Sequence, residues 1–338
     1  MTLVFSHVWA IWWWRNTYVQ AKADSLRSNE CDLGIVPTSV EELEQARATE
    51  VRLEFISRNF PHNLPMELIT NDPSQHARLA HIRIRCWNGF LPFGAICKAG
   101  QHRVSSPEFC FVQIASDIRR ICQERLERWQ YVVVLVELGC ELCGTYSKRE
   151  SSRGFVNRDV PLVGTWHMRS FASYVAYSRG SALAYEALRW VIDGLNSPME
   201  TVVYLMLCLP RTWGGMGLPK PRSNWSILVP DELQRKTPKQ HVIPDLYWPE
   251  FGLAVEFFGE DFHLGREHED SDRQEIEQDM GLKVVTFWKD DVLNLRRFNA
   301  KAASVAHYLG QQLPEASKEF EKLQSTLQGM LVRRQRWI

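Results

Sequence analysis

Glu200, Asp245 and Glu256 are the residues whose types and settings could do chemistry, and that chemistry is the holding of a divalent cation by oxygen ligands. Glu256 lies in Leu253-Ala254-Val255-Glu256-Phe257-Phe258. A period of two puts Leu253, Val255 and Phe257 on one strand face and Ala254, Glu256 and Phe258 on the other. An unpaired carboxylate in so apolar a strand is costly to bury. It is tolerated where a cation or hydrogen-bond donors meet it, and Asp245 on the partner strand could hold the same ion, Mg2+ or Mn2+. A polar strand edge facing solvent is the other reading of Glu256. Glu200 follows Ser197-Pro198-Met199, which reads as a helix start with Ser197 as N-cap, Pro198 at the first helical position and Glu200 at the third. Capping alone explains Glu200; a carboxylate at a helix mouth can also point at a metal, and both readings stay open.

The elements that must position these carboxylates follow in a clear order. A helix runs through Val202-Val203-Tyr204-Leu205-Met206-Leu207. Two strands joined at Pro249-Glu250-Phe251-Gly252 make a hairpin. An acidic helix from Glu269 to Met280 stops at Gly281, and Leu282 to Trp288 forms a further strand.

Helix, hairpin, helix, strand, with Asp245, ten intervening residues and then Glu256-Phe257-Phe258, resembles the PD-(D/E)xK nuclease superfamily. In particular it is similar to bacterial proteins of the very-short-patch-repair endonuclease type. The resemblance covers Ser197 to Leu295. It is carried by Ser-Pro-Met-Glu, Pro-Asp, Val-Glu-Phe-Phe-Gly, His263, Asp272-Arg273 and Val-Thr-Phe-Trp. It implies a restriction-endonuclease-like mixed β-sheet core flanked by helices, and a DNA endonuclease dependent on Mg2+ or Mn2+. Asp245, Glu256 and Glu200 would hold the metal, His263 would act as base or orient the attacking water, and Arg273 or Lys283 would supply positive charge. The superfamily's lysine two residues after the glutamate is Phe258 here, a position at which relatives of the very-short-patch type also lack it. The repair enzyme's structural zinc cluster has no counterpart, because Cys208 is the only cysteine between Ser197 and Leu295. A catalytically silent DNA-binding or toxin–antitoxin-type regulatory protein that keeps the nuclease fold is the alternative.

DNA as partner requires a local basic patch, since Lys and Arg number 40 against 40 Asp and Glu and the formal net charge is zero. Arg211, Lys220 and Arg222 form one candidate patch, and Arg333-Arg334-Gln335-Arg336 another. Trp213 and Trp225 flank the first, where burial as anchors and stacking on bases are both open.

At 338 residues, 45% hydrophobic and 24% charged, the chain has the composition of a soluble globular protein with room for about two domains. The class is α/β in the broad sense (α+β). A mixed N-terminal recognition or regulatory domain is expected over 1–195, the nuclease-like domain over 196–299, and a C-terminal helix with a basic tail over 300–338, placed to pack back or to form a homodimer. The N-terminal apolar run Phe5 to Trp14 lacks a basic leader and a cleavage site and is shorter than the roughly 20 residues of a membrane span. A short helix capped by Ser6 and buried by its tryptophans is expected instead. Eight scattered cysteines suit a reducing, cytoplasmic interior, and Cys140-x-x-Cys143 reads as buried thiols ahead of a zinc site. No small-molecule cofactor is implied.

Further readings can be checked element by element. Ser39 to Asn59 reads as an amphipathic helix with a capping box, and His81 to Cys97 as short β runs broken at Asn88-Gly89. Val104-Ser105-Ser106-Pro107-Glu108 opens a helix through Ile121 and resembles proteins of abortive-infection antitoxin type. Tyr131 to Leu138 is a buried strand or helix, Ser147 to Arg158 a loop, Ser170 to Leu195 a helix, and Ala300 to about Val332 another.

Overall fold

The computed structural model describes residues 3–16, 27, 33, 41–42, 65–75, 78–79, 82–100, 102–148, 154–235, 240–259 and 276–332. The expected Ser39–Asn59 helix lies almost wholly outside these residues, as does the basic stretch Arg333 to Arg336. The fold is α+β, and the chain divides between Asp193 and Gly194 into two compact units.

The first unit is built on a mixed sheet of β1 (Val4–Phe5), β2 (Met66–Thr70), β3 (Arg78–Leu79), β4 (Ile82–Cys86), β5 (Ile96–Ala99) and β6 (His102–Ser105). Their spatial order is β3-β4-β2-β1-β6-β5, with β1 parallel to β6 and β2 parallel to β4. Helix α1 (His7–Asn16) follows β1 at once and buries Trp9, Trp13 and Trp14; the Trp14 indole donates to the Ser105 carbonyl at 2.9 Å. Helix α2 (Pro107–Ile121) starts where the sequence places it. Ser106 caps it by accepting the Phe109 N–H, Pro107 occupies the first turn, and Arg119 and Arg120 face the negative end of the helix dipole.

The valine-rich run from Tyr131 is part of helix α3 (Arg128–Cys143), not a strand. Its β-branched residues have the wrong local preference, but a Glu127/Gln130 capping box starts the helix and burial on nearly every face outweighs propensity. Cys140 and Cys143 are buried in α3 as free thiols, and burial pushes the Cys140 thiol up to about 12. One buried ion pair ties α1 to α3: Arg15 donates twice to Glu141, at 2.8 and 2.7 Å.

Two expectations fail beyond α3. The Ser147–Arg158 segment carries strand structure, β7 (Tyr146–Lys148) paired antiparallel with β8 (Phe155–Asn157). The Ser170–Leu195 region is not one helix but α4 (Thr165–Tyr174) and α5 (Ser181–Leu188). Gly180, at φ +89, breaks them, and a Cβ there would lie 2.4 Å from the Ser116 backbone nitrogen.

In the second unit, helix α6 (Pro198–Cys208) is buried on every side from Glu200 to Cys208. The short strands β9 (Arg222–Ser223), β10 (Ile227–Leu228), β11 (His241–Val242) and β12 (Leu246–Trp248) lead to β13 (Leu253–Phe258) and β14 (Lys283–Trp288). The main sheet has the order β14-β13-β12-β9, and β10 and β11 form a separate hairpin. The turn between β12 and β13 is a single 3-10 turn, Pro249–Phe251, closed by Gly252 at φ +55. Strand β14 runs parallel to β13, so the chain must cross over between them; Ile276 to Asp279 at the end of that crossover is helical. Three helices follow: α7 (Lys289–Leu293), α8 (Leu295–Tyr308) and α9 (Lys318–Val332). The single helix expected after Ala300 is therefore two, parted at Gly310 (φ +68) and Pro314, and both belong to the second unit. Helix α8 packs on β14 through Phe298 against Phe287, while α9 packs on α6.

No helix among the described residues is long and apolar enough to cross a membrane.

Candidate functional site: a carboxylate pair in the second unit

The mouth of α6 is set by its first four residues. Ser197 is extended (φ −149, ψ 158), and its Oγ accepts the Glu200 N–H at 3.1 Å. Glu200 reaches back, and its Oε2 accepts the Asn196 N–H at 2.8 Å. This is the reciprocal capping geometry that the sequence suggests, displaced by one residue. The same Oε2 accepts a second bond, from Asn224 Nδ2 at 3.1 Å.

Asn224 organises the surroundings of that carboxylate. Its backbone is left-handed at φ +45, a conformation that asparagine tolerates better than most side chains. Its amide donates to the Gly194 carbonyl at 2.9 Å as well as to Glu200, and its Oδ1 accepts from Asn196 Nδ2 at 2.6 Å. Its own N–H donates to the Asp245 carbonyl at 3.0 Å, continuing the pairing of β9 with β12 by one residue. Neither Asn224 nor Asn196 stood out in the sequence. The one available signal was an asparagine two residues after Arg222 and next to a tryptophan, which is too common to select.

Asp245 stands immediately before β12. Its Oδ2 accepts the Phe257 N–H at 2.7 Å, which fastens the side chain across the hairpin to the strand that carries Glu256. Since Leu246 pairs with Val255, Asp245 falls opposite Glu256 in register, on the same face of the sheet. On its other side Glu256 pairs with Thr286 of β14. Strand β13 is thus interior to the sheet and Glu256 is only 1% exposed, which overturns the solvent-facing-edge reading of that residue.

Glu200 and Asp245 sense each other. Burial, and then the negative charge of Asp245, push the Glu200 carboxyl up to about 8, against the pull of the donors at Asn196, Asn224 and Ser197. The capping reading of Glu200 holds, and the same buried carboxyl feels the charge of the half-buried Asp245. Among the described residues no group of three His, Cys, Asp or Glu side chains is arranged to hold a metal ion. What the structure brings together is the electrostatic pair Glu200 and Asp245, with Glu256 opposite Asp245 in the sheet.

The other candidates divide. His263 and Arg273, with Asp272, lie outside the described residues. Phe258, where the superfamily has lysine, is buried against the Trp288 ring at 5.1 Å. Lys283 does not make up the charge. It pairs with Leu253 at the far end of β13, three residues or roughly 10 Å along the strand from the partner of Glu256, and its Nζ sits over the Tyr308 ring. Arg211 is placed over the Phe320 ring at 3.9 Å, with Nη2 3.5 Å from the Pro314 and Glu315 carbonyls, so it is held against α9 and is not part of an open patch. Lys220 and Arg222 are exposed. Arg222 stacks at 4.3 Å on Trp225, which is itself 47% exposed and so is not a buried anchor. In sequence this cation–aromatic pair flanks Asn224, whose amide bonds Glu200.

No family model, curated protein or solved structure matches the chain.

Proposed function

We propose that the second unit hydrolyses nucleic-acid phosphodiesters as an Mg2+- or Mn2+-dependent endonuclease, with a core similar to that of very-short-patch-repair endonucleases. The observation that carries the reading is the convergence of Glu200 and Asp245 through Asn224, with Glu256 opposite Asp245 on the same sheet face. A buried carboxylate beside a second, half-buried one is stabilised by a proton or a cation between them. The donor set is all oxygen, which suits a hard divalent ion, and magnesium sites commonly use one or two carboxylates with water and substrate phosphate completing the shell. Glu200 and Asp245 would hold the ion, with Glu256 orienting the shell from the neighbouring strand. The ion would polarise the phosphate and lower the pKa of the attacking water.

The chain's own residues supply the rest. Asn224 and Asn196 fix the rotamer of Glu200, and the Phe257 N–H fixes that of Asp245, so the two carboxylates are preorganised. Arg222 on Trp225 offers a charge for a phosphate and an aromatic face for a base. His263 and Arg273 stay in the proposal as base and charge donor on the strength of the resemblance.

One observation favours a second reading, a silent DNA-binding or toxin–antitoxin-type regulator. Phe258 is buried against Trp288 where a lysine would stabilise the transition state. Nicking of supercoiled plasmid separates the two. With Mg2+ or Mn2+ the wild type nicks, and Asp245→Ala and Glu256→Ala each lower the rate by at least about a hundredfold. Plasmid retained by the protein but left uncut in both metals sinks the enzyme and leaves the regulator.

A further inference from the structure

The first unit holds a pocket of about 680 Å³ that the carboxylate site does not involve. Its floor is laid by His7 at the start of α1, Arg85 at the end of β4, and Gln113 and Asp117 on α2. Two segments raise its rim: the turn Trp87 to Phe90 after β4, and the link Tyr174 to Arg179 between α4 and α5. The two segments meet, since a Cβ on Gly89 would stand 2.8 Å from Ser178 Oγ.

Two properties of this pocket are not explained by folding. The first is charge. Arg85 Nη2 lies 2.8 Å from Asp117 Oδ2, and Arg120 bridges Asp117 at 2.9 Å and Glu67 at 2.8 Å; Arg83 stands 3.4 Å from the same glutamate. Of these charged groups only Arg85 and Asp117 line the pocket, and Arg179 at the rim makes its lining two guanidinium groups to one carboxylate, with Arg83, Arg120 and Glu67 behind them. His7 adds no negative charge, and its imidazole is held neutral because burial pushes it down to about 3. Arg85 also keeps buried donors: its Nε and Nη2 make no hydrogen bond among the described residues, the contact with Asp117 being off hydrogen-bond geometry. An anion at the floor would use them.

The second property is aromatic exposure. Phe90 is 69% exposed, Tyr174 67%, and Tyr177 is wholly exposed. Three aromatic side chains offered to water around one mouth mark a surface that meets something flat. A small carboxylate would satisfy the arginines and leave these rings in water, and an apolar group would leave the guanidinium groups unpaired. A nucleotide answers both demands, and the volume is of the size that holds one.

We infer that this pocket binds a nucleotide unit, its phosphate met by Arg85 and Arg179 and its base stacked on the rim aromatics. The inference stands independently of the nuclease reading of the second unit. The ligand comes either from a free nucleotide or from a single strand of nucleic acid, and competition tells these apart.

The test is fluorescence anisotropy of the full chain with a fluorescein-labelled ten-nucleotide DNA strand and its RNA equivalent, in buffer with chelator to prevent cleavage. Competitors are unlabelled mononucleotides and a tyrosine-phosphorylated peptide. The double variant Tyr174→Ala/Tyr177→Ala removes exposed rings without touching the core and weakens binding about tenfold or more. Arg85→Gln weakens it comparably, whereas Tyr185→Ala, an exposed tyrosine outside the pocket, leaves it unchanged. Displacement of the strand by mononucleotide at similar concentration identifies the free nucleotide as ligand; failure of mononucleotides to compete identifies the strand. Either supports the inference. Binding that the tyrosine double variant does not weaken, equal displacement by the phosphopeptide, or no binding to any of these probes overturns it.

Discussion

Replacing Glu200 by glutamine tests the physical account of the acidic pair without relying on activity. The carboxyl is pushed from its ordinary 4.5 up to about 8, first by burial and then by Asp245. In the unfolded chain both influences vanish. Between the two values the folded state therefore holds a proton that the unfolded state has released, so stability falls as pH rises through this window and levels off above about 8. At about 1.4 kcal/mol per pH unit the whole interval is worth at most about 5 kcal/mol, of which about 3 falls between pH 5.5 and 8.5. Glutamine has the same shape, its carbonyl oxygen can still accept from Asn196 and Asn224, and it never ionises. Urea unfolding of wild type and Glu200→Gln at pH 5.5, 7.0 and 8.5 isolates the contribution of the coupled pair, because the titrating groups outside it are common to both proteins. The wild type should lose roughly 2 to 3 kcal/mol more than the variant across that range. A difference below about 0.5 kcal/mol, or one of opposite sign, refutes the claim that burial and the charge of Asp245 keep a proton on Glu200. Millimolar Mg2+ should recover much of the wild-type loss at pH 8.5 and little in the variant, because a cation bound only by the folded, ionised pair stabilises it by mass action.

Asn224→Ala removes the bonds to Gly194, Glu200 and Asn196 and leaves alanine at φ +45; it should cost about 2 to 4 kcal/mol in urea unfolding, with Asn224→Gly recovering about 1 kcal/mol of that. In the first unit, Arg15→Ala takes both guanidinium bonds from the buried Glu141, leaving it the Lys148 N–H, and should cost about 3 to 5 kcal/mol, whereas the double substitution Arg15→Met/Glu141→Leu should regain most of it in a thermal melt. Gly215→Ala would put a Cβ 2.1 Å from the Leu209 carbonyl oxygen and should abolish soluble expression, while Gly252→Ala at φ +55, with nothing within 4 Å, should cost only about 1 kcal/mol. Equal behaviour of these two glycine variants in expression and melting assays would show that close backbone approach does not govern the turn after α6.

Helix starts were the most legible features, because they are written in adjacent residues. Ser106-Pro107-Glu108 and Ser197-Pro198-Met199-Glu200 each carry cap, first-turn proline and acid together, and both helices begin there. The hairpin around Pro249 to Gly252 was legible for the same reason. What failed was anything decided at a distance. The α4–α5 break depends on Gly180 meeting the backbone of Ser116, sixty-odd positions away in sequence, and no local pattern reports that. For Tyr131 to Leu138 the sequence left strand and helix open; the segment is buried and helical, and burial on nearly all sides made the choice where periodicity is silent. In the site, the chemistry-bearing types were readable because a carboxylate in an apolar strand is conspicuous. Asn224 was not, since its role comes from a left-handed backbone that joins α6 to β12.

The question left for the acidic pair is the source of its positive charge, and the positions of the nearby basic residues narrow it. Lys283 lies over Tyr308, Arg211 over Phe320 and Arg222 over Trp225. Lys301 bonds the Thr286 carbonyl and pairs with Asp291 at 2.6 Å. Each of these side chains has a partner of its own, and the position that would bring a lysine to Glu256 holds a buried phenylalanine. None of these four supplies the charge that Glu200 and Asp245 call for, and a proton on Glu200 or a cation taken from solution would supply it. A proton keeps Glu200 neutral at pH 7 and makes the site a structural cap; a divalent cation displaces that proton and makes it a reaction centre. Proton release on adding Mg2+, measured in weakly buffered solution near pH 7, is therefore the physical difference between the silent fold and the enzyme.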